Sequence, residues 1–318
     1  MMFRVVATAR SFCNTPGAHH DYLRNHGCEV ALCAAAHPMS AAELRALVSG
    51  VDGLILGLDR CDASVIDAAD ALKVISRYGV GVDEVDVAAA SRRRIAVTTT
   101  LGANSAAVAE LTIGLMFALA RHIPQVAAAA RRGEWLRPMG WELSGRTLGV
   151  IGLGAIGREV TRRAAGLGMR IVGYDPIAGE VAGVERVSLP DLLRQADVVT
   201  LHVPLTPETA NLINADTIGL MRDSAALINT ARGGLVDEDA LYHALASGKL
   251  IGAAMDAFQH EPPDGSPLLQ LDNFIAMPHL GATTRETTLK MSLMAAQNCV
   301  AVLRGDPCPY IINQKDLP

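Results

Sequence analysis

The segment TLGVIGLGAIGREV, residues 147–160, decides the fold. An apolar run at 147–151 meets Gly152, Gly154 and Gly157 in GxGxxG spacing, and a helical pattern follows over 156–166. The next branched stretch, RIVGYD at 170–175, ends on Asp175. Strand, glycine turn, helix, strand and terminal acid, in that order, describe a βαβ unit built to bind a dinucleotide. Gly152 permits the tight turn, Gly154 lets the backbone approach a pyrophosphate, and Gly157 lets the helix pack closely. Unpaired amides at the helix start, at Ala155 and Ile156, receive the phosphates, and Arg158 can add charge there. The Asp175 carboxylate can accept both ribose hydroxyls of NAD and repels a 2′-phosphate. Pro176-Ile177 offers no base to offset that repulsion, so NAD is expected over NADP unless an arginine arrives from elsewhere in the fold.

Working outward, the alternation continues. Strands are expected at 147–151, 171–174, 198–201, 226–229, 251–254 and 274–276. Helices fit 156–166, 190–194, 214–219, 237–246 and 283–303. Several of the strands are apolar throughout, as buried parallel strands are. Upstream lies a shorter series. Strands fit 3–8, 29–32, 53–57 and 72–76, and helices fit 18–26 and 64–69. Ser40 with Glu43 makes a capping box before a helix reaching about Val48. Residues 105–120 are apolar on nearly every side, which suits a helix buried around most of its girth, at a domain or subunit interface. The expected fold is α/β: two Rossmann-like, doubly wound domains with parallel sheets and a cleft between them. Residues 1–99 plus 304–318 form a discontinuous substrate domain, 100–282 the NAD-binding domain, and 283–303 a linking helix, with the tail YIINQ returning to the first domain.

With 318 residues, 50% hydrophobic and 19% charged, the chain suits two cored domains and does not resemble a disordered one. A net charge of -5 gives no support to a nucleic-acid partner. The six cysteines form no CxxC pair and no metal-ligand spacing, so reduced thiols and no metal are expected. The start, MMFRVVATARS, lacks a full signal-peptide core, and no 18-residue apolar run offers a membrane span. Cytoplasm is therefore the expected location, with no membrane partner.

Seven stretches sharpen the reading: RYGVGVDEVD (77–86), GANSAAVAELTIGLM (102–116), GRTLGVIGLGAIGR (145–158), LHVPLT (201–206), LINTARGGLVDEDAL (227–241), AMDAFQHEPP (254–263) and MPHLGATT (277–284). In this order they resemble the D-isomer-specific 2-hydroxyacid dehydrogenase family over nearly the whole chain. The resemblance implies hydride transfer between NAD(H) and a small 2-hydroxy or 2-keto acid. Phosphoglycerate dehydrogenase and hydroxypyruvate or glyoxylate reductase are the specific activities in view.

The resemblance makes Arg232, after NTA, the residue that binds the substrate carboxylate and carbonyl. A guanidinium fork suits both tasks. It makes His279, in P-H-x-G, the acid–base group, which suits an imidazole titrating near neutrality. From the residues alone, His260 beside Glu261 is a rival, and His202 competes too. Glu261, before Pro262, is implied as the partner of His279. Further implied cofactor contacts are His202, Val203, Pro204, Thr209, Thr230, Ala231 and Gly281, with Asp256 holding the nicotinamide amide. Val80 and Gly81 are implied to offer amides to the substrate carboxylate. Asn104 helps shape the cleft, and Arg60 either reaches a polar substrate end or forms a surface ion pair.

The family's usual DNID is here DEVD (83–86), a change that leaves the hydride chemistry intact. The resemblance also implies a homodimer, and no appended regulatory domain of the kind in longer phosphoglycerate dehydrogenases. Formate dehydrogenases resemble the family but pair the histidine with Gln, so Glu261 argues against formate. Phosphite oxidation and an NAD-sensing corepressor are the more distant readings.

Overall fold

The computed structural model describes residues 2–35 and 37–317. The chain divides into two compact units, Met1–Asn104 with Thr283–Pro318, and Ser105–Ala282.

The first unit holds a five-stranded parallel sheet of β1 (Phe3–Ala7), β2 (Cys28–Leu32), β3 (Gly53–Leu56), β4 (Val74–Arg77) and β5 (Ala96–Thr98). Their spatial order is β2-β1-β3-β4-β5. One face is covered by a cluster around Leu44, Leu54, Ile66, Ile75 and Ile95. The other is covered by Phe12, Leu23, Ile55, Val74 and residues of the helix Arg285–Arg304.

That helix, expected as a linking piece, packs on the first unit's sheet. Ala295, Ala296, Cys299, Val300 and Leu303 put its apolar side into the first unit's core. Each large apolar side chain fully buried this way contributes about 1.5–3 kcal/mol. Gly305, at φ +75°, ends the helix in the left-handed conformation. The tail then runs beside β5. Ile312 N–H donates to the Val97 carbonyl at 2.9 Å, and the Asn313 side chain bonds Val97 and Ile95.

The second unit holds seven parallel strands: β6 (Thr147–Ile151), β7 (Arg170–Tyr174), β8 (Glu185–Arg186), β9 (Val198–Leu201), β10 (Ala225–Asn229), β11 (Leu250–Met255) and β12 (Phe274–Ala276). The order is β12-β11-β10-β9-β6-β7-β8. Sequence order reverses between β6 and β9, which makes that junction the topological switch point where open α/β sheets bind ligands. β6, β9 and β10 are buried at every residue, because helices cover both faces. The helix Ser105–Ala120 lies on one of those faces with Ala109, Leu115, Met116 and Leu119 against Leu148, Val150 and Ile228. All seven strands run the same way, so their carboxyl ends share one edge.

Local patterning accounts for most elements. The Ser40–Glu43 capping box is present, but its helix stops at Arg45. The sequence reading missed the helix Ile123–Arg131, whose start is marked only by Pro124. It also missed the two-residue strand β8, which no periodicity can reveal. Among the described residues no single helix is long and apolar enough to cross a membrane.

Candidate active site

The carboxyl edge of the second sheet carries a glycine turn at its switch point. After β6 the chain turns at Gly152, φ +97°, where a Cβ would lie 2.4 Å from the His202 carbonyl oxygen. Only glycine fits there, because both the backbone conformation and the neighbouring chain exclude a side chain. A Cβ at Gly157 would lie 2.0 Å from the Gly152 carbonyl, so the helix Ala155–Gly166 can start this close to the strand only with glycine. At Gly154 a Cβ would meet nothing within 4 Å, which leaves open space over the turn. Gly154 is also the N-cap and caps nothing with a side chain. The first amides of this helix are therefore free of any side-chain cap and suit a pyrophosphate.

Asp175, just past β7, ties this region together. Its Oδ2 accepts the Leu153 amide at 2.8 Å, and its Oδ1 accepts the Ile177 and Ala178 amides, each at 2.8 Å. Burial pushes its carboxyl upward. The amides of Ala178, Leu153 and Ile177, with Arg186, outweigh that and hold it below the usual carboxylate range. Arg186 comes from β8 and donates to the carbonyls of Asp175 and Ala178. An arginine does arrive from elsewhere in the fold, but it braces the turn through the backbone. The Arg158 side chain donates to the Leu153 carbonyl at 2.9 Å, so it too holds the glycine turn.

His202 follows β9 directly. Its Nε2 lies 3.0 Å from Thr200 Oγ1, and its buried Nδ1 has no hydrogen-bond partner among the described residues. Burial pushes its pKa down to about 3, so it is neutral at physiological pH and unsuited to act as the acid. Thr209 is occupied within its own loop, donating to the Pro204 carbonyl at 2.7 Å. Val203 approaches the Gly152 turn from the β9 side.

Three further side chains sit past the ends of the neighbouring strands β10, β11 and β12. Arg232 follows β10 by three residues and donates to the Ala231 carbonyl at 2.7 Å. The turn that carries it is clamped by Asn229, whose Nδ2 donates to the Arg232 carbonyl at 2.7 Å and whose Oδ1 accepts the Ala231 amide at 3.1 Å. Beside it, Thr230 Oγ1 lies 2.9 Å from Thr112 Oγ1.

Glu261 follows β11, and both its oxygens lie 3.0 Å from Nδ1 of His279, which follows β12. A carboxylate can only accept, so Nδ1 carries the hydrogen and Nε2 is the nitrogen left for chemistry. Burial pushes the Glu261 carboxyl upward. The bond and charge of His279, the Phe258 amide and the charge of Arg232 outweigh it and bring it below the usual range. The rival His260 is exposed.

His279 has φ +56°, a conformation costly for a residue with a side chain. Asp256 holds it there. The Asp256 carboxylate is buried and accepts the Leu280 and Gly281 amides, both at 2.7 Å. Burial raises its pKa, with those amides opposing. Each Asp256 oxygen thus accepts one amide of the histidine loop and keeps a further lone pair.

The sequence of this sheet matches the family model described as D-isomer specific 2-hydroxyacid dehydrogenase, NAD binding domain, over residues 113–281. The chain belongs to that family. Its second unit is the family's NAD-binding domain, and the uncapped helix start and open Gly154 turn fit that cofactor. A D-3-phosphoglycerate dehydrogenase of Methanocaldococcus jannaschii is 51% identical over 261 residues, covering 80% of this chain and 50% of that protein. A hydroxypyruvate reductase of Thermotoga maritima is 43% identical over 258 residues, covering 79% and 84%. The crystal structure of TT0316 protein from Thermus thermophilus superposes with a TM-score of 0.90 at 42% identity, covering 98% of this chain and 100% of that one. The chain spans about half the length of the phosphoglycerate dehydrogenases it matches.

The remaining residues that the family resemblance singled out lie in the first unit. Val80 and Gly81 follow β4 in a loop whose Gly79 carbonyl accepts the Thr100 amide at 2.9 Å. The buried Arg77 guanidinium donates to the Tyr78 carbonyl in the same loop. Arg60 makes an exposed ion pair with Asp62 at 3.4 Å. Asn104 closes this part of the unit. Sequence reasoning missed Asn229 as a support of the Arg232 turn. A polar residue ending the otherwise apolar strand AALIN was the available signal for Asn229.

Proposed function

We propose that this protein reduces small 2-keto acids to D-2-hydroxy acids with NADH and runs the reverse oxidation with NAD. The observation that carries the proposal is the His279–Glu261 pair, set on the same sheet edge as the dinucleotide turn. Bound NADH supplies the hydride that goes to the keto carbon. Arg232 binds the substrate carboxylate and draws the carbonyl dipole toward itself, stabilising negative charge on the oxygen as the carbon is reduced. His279 gives that oxygen a proton from Nε2. Its Nδ1–H stays on Glu261, whose negative charge favours the protonated ring before transfer and fixes its tautomer. In the oxidative direction Nε2 takes the proton back. Val203, Pro204, Thr209, Thr230 and Ala231 line the cofactor.

The names of the relatives support phosphohydroxypyruvate and hydroxypyruvate as leading substrates, and the family's name supports the D configuration. The test is NADH consumption across glyoxylate, pyruvate, hydroxypyruvate and phosphohydroxypyruvate at matched concentration, followed by oxidation of paired enantiomers. Turnover with none of these acids, or preference for L acids, overturns the proposal.

We also propose a homodimer. Phe117, Ile123, Trp135, Leu136 and Met139 are exposed within one short stretch of the second unit, more apolar surface than a monomer needs there. Sedimentation of the purified chain tests this. Six unpaired thiols, with burial raising the pKa of Cys13 to about 11 and Cys61 to about 12, suit the reducing cytoplasm.

A further inference from the structure

One peptide group, between Phe258 and Gln259, is gripped from two directions, and the peptide before it from a third. Its carbonyl carbon and nitrogen would lie 1.9 and 2.2 Å from a Cβ at Gly233, so the turn that follows Arg232 rests directly on it. The Gln259 N–H donates to Glu238 Oε1 at 2.8 Å. One residue earlier, the Phe258 N–H donates to Glu261 Oε1 at 3.0 Å, and that oxygen is also 3.0 Å from His279 Nδ1.

Glu238 opens the helix Glu238–Ala246 within three consecutive acids, Asp237-Glu238-Asp239. The plain reading of such a run is favourable charge at a helix N-terminus. The structure separates the three. Asp237 caps the helix by accepting the Asp239 and Ala240 amides, and Asp239 is exposed. Glu238 reaches out of the helix to a different loop.

We propose that Glu238 is a positioning residue for the proton-transfer pair, acting through the 258–259 peptide to hold Glu261 against His279. This rests on the proposed acid–base role of that pair. Gly233 presses the peptide from the Arg232 side while Glu238 fixes its N–H, so the loop has one resting place. Glu261 then meets Nδ1 with both oxygens. Without the Glu238 acceptor, Gln259 N–H turns to water, the loop gains freedom, and Glu261 leaves the imidazole for part of the time. Catalytic groups lose rate steeply with such displacement. NADH affinity is untouched, because the glycine turn and Asp175 lie on other strands.

The test compares Glu238→Ala, Glu238→Gln and Asp239→Ala by kcat and KM for keto-acid reduction, NADH binding by fluorescence, and proton NMR of the His279 Nδ1–H, assigned by its loss in His279→Ala. Glu238→Ala is expected to lower kcat about tenfold, leave NADH binding unchanged and broaden or remove the Nδ1–H signal. Glu238→Gln, which keeps a carbonyl acceptor, restores both, and Asp239→Ala behaves like the parent. A parent-like Nδ1–H signal and kcat in Glu238→Ala overturn the proposal, as do equal losses in Glu238→Ala and Asp239→Ala. If the parent reduces no keto acid, the functional reading fails, and the Nδ1–H signal still decides the positioning role.

Discussion

Glu261→Gln is the substitution that most finely probes the acid–base pair. It keeps the shape of the side chain and an oxygen for the Phe258 amide, and removes one negative charge beside His279. Opposite charges about 4 Å apart attract by about 4 kcal/mol at an effective dielectric of 20. The two side chains are 35% and 34% exposed, so water screens much of that. About 1–1.5 kcal/mol is a realistic remainder, or about a tenfold change in rate.

The direction follows from the chemistry. In the proposed reduction His279 gives up a proton while its Nδ1–H stays on Glu261, so in the variant kcat/KM for reduction should fall about tenfold. The folded state shows the same coupling. The Glu261 carboxyl is held below its usual range, so it contributes stability above its unfolded pKa of about 4.3 that is lost as pH falls through the folded value. The parent should melt above the variant at neutral pH, and the difference should vanish in acid. Steady-state kinetics across pH, with melting curves at matched pH, measure both. An unchanged kcat/KM for reduction, with NADH binding intact, refutes the coupling.

Other consequences can be checked individually. Gly152→Ala forces a Cβ into the His202 carbonyl at positive φ, so it should abolish NADH binding and lower the melting temperature. Asp175→Asn places an amide donor against one of three backbone N–H groups, so it should weaken NADH binding, destabilise the fold and give no gain in NADPH binding by fluorescence titration. His202 has a folded pKa of about 3, below its unfolded value of about 6.5, so the unfolded chain binds the extra proton and stability is lost as pH drops between those values. His202→Gln should flatten that part of the acid-unfolding curve, and an unchanged slope contradicts a neutral buried imidazole.

The sequence was most readable where one local rule was sufficient. The βαβ unit of β6, the helix Ala155–Gly166 and β7 could be placed from the glycines and Asp175 alone, because turn, helix start and strand end each demand a particular residue. Arg232, Glu261 and His279 became legible only through resemblance, since nothing local separates His279 from His260. What stayed hidden depends on distant chain segments meeting. The use of Asp256 on the Leu280 and Gly281 amides, the brace of Arg186 on the Asp175 turn and the grip of Glu238 on Gln259 all join residues eight or more positions apart. The placing of helix Arg285–Arg304 in the first core went unread for the same reason, as a helix pattern does not say which sheet it covers.

In the proposed reaction Arg232 and His279 act together on the reacting oxygen. Single-turnover hydride transfer from pre-bound NADH, followed by stopped flow in Arg232→Gln and His279→Gln, tests this. Each variant should bind NADH like the parent and transfer hydride at least about 100-fold more slowly. Parent-like transfer in either variant would contradict it.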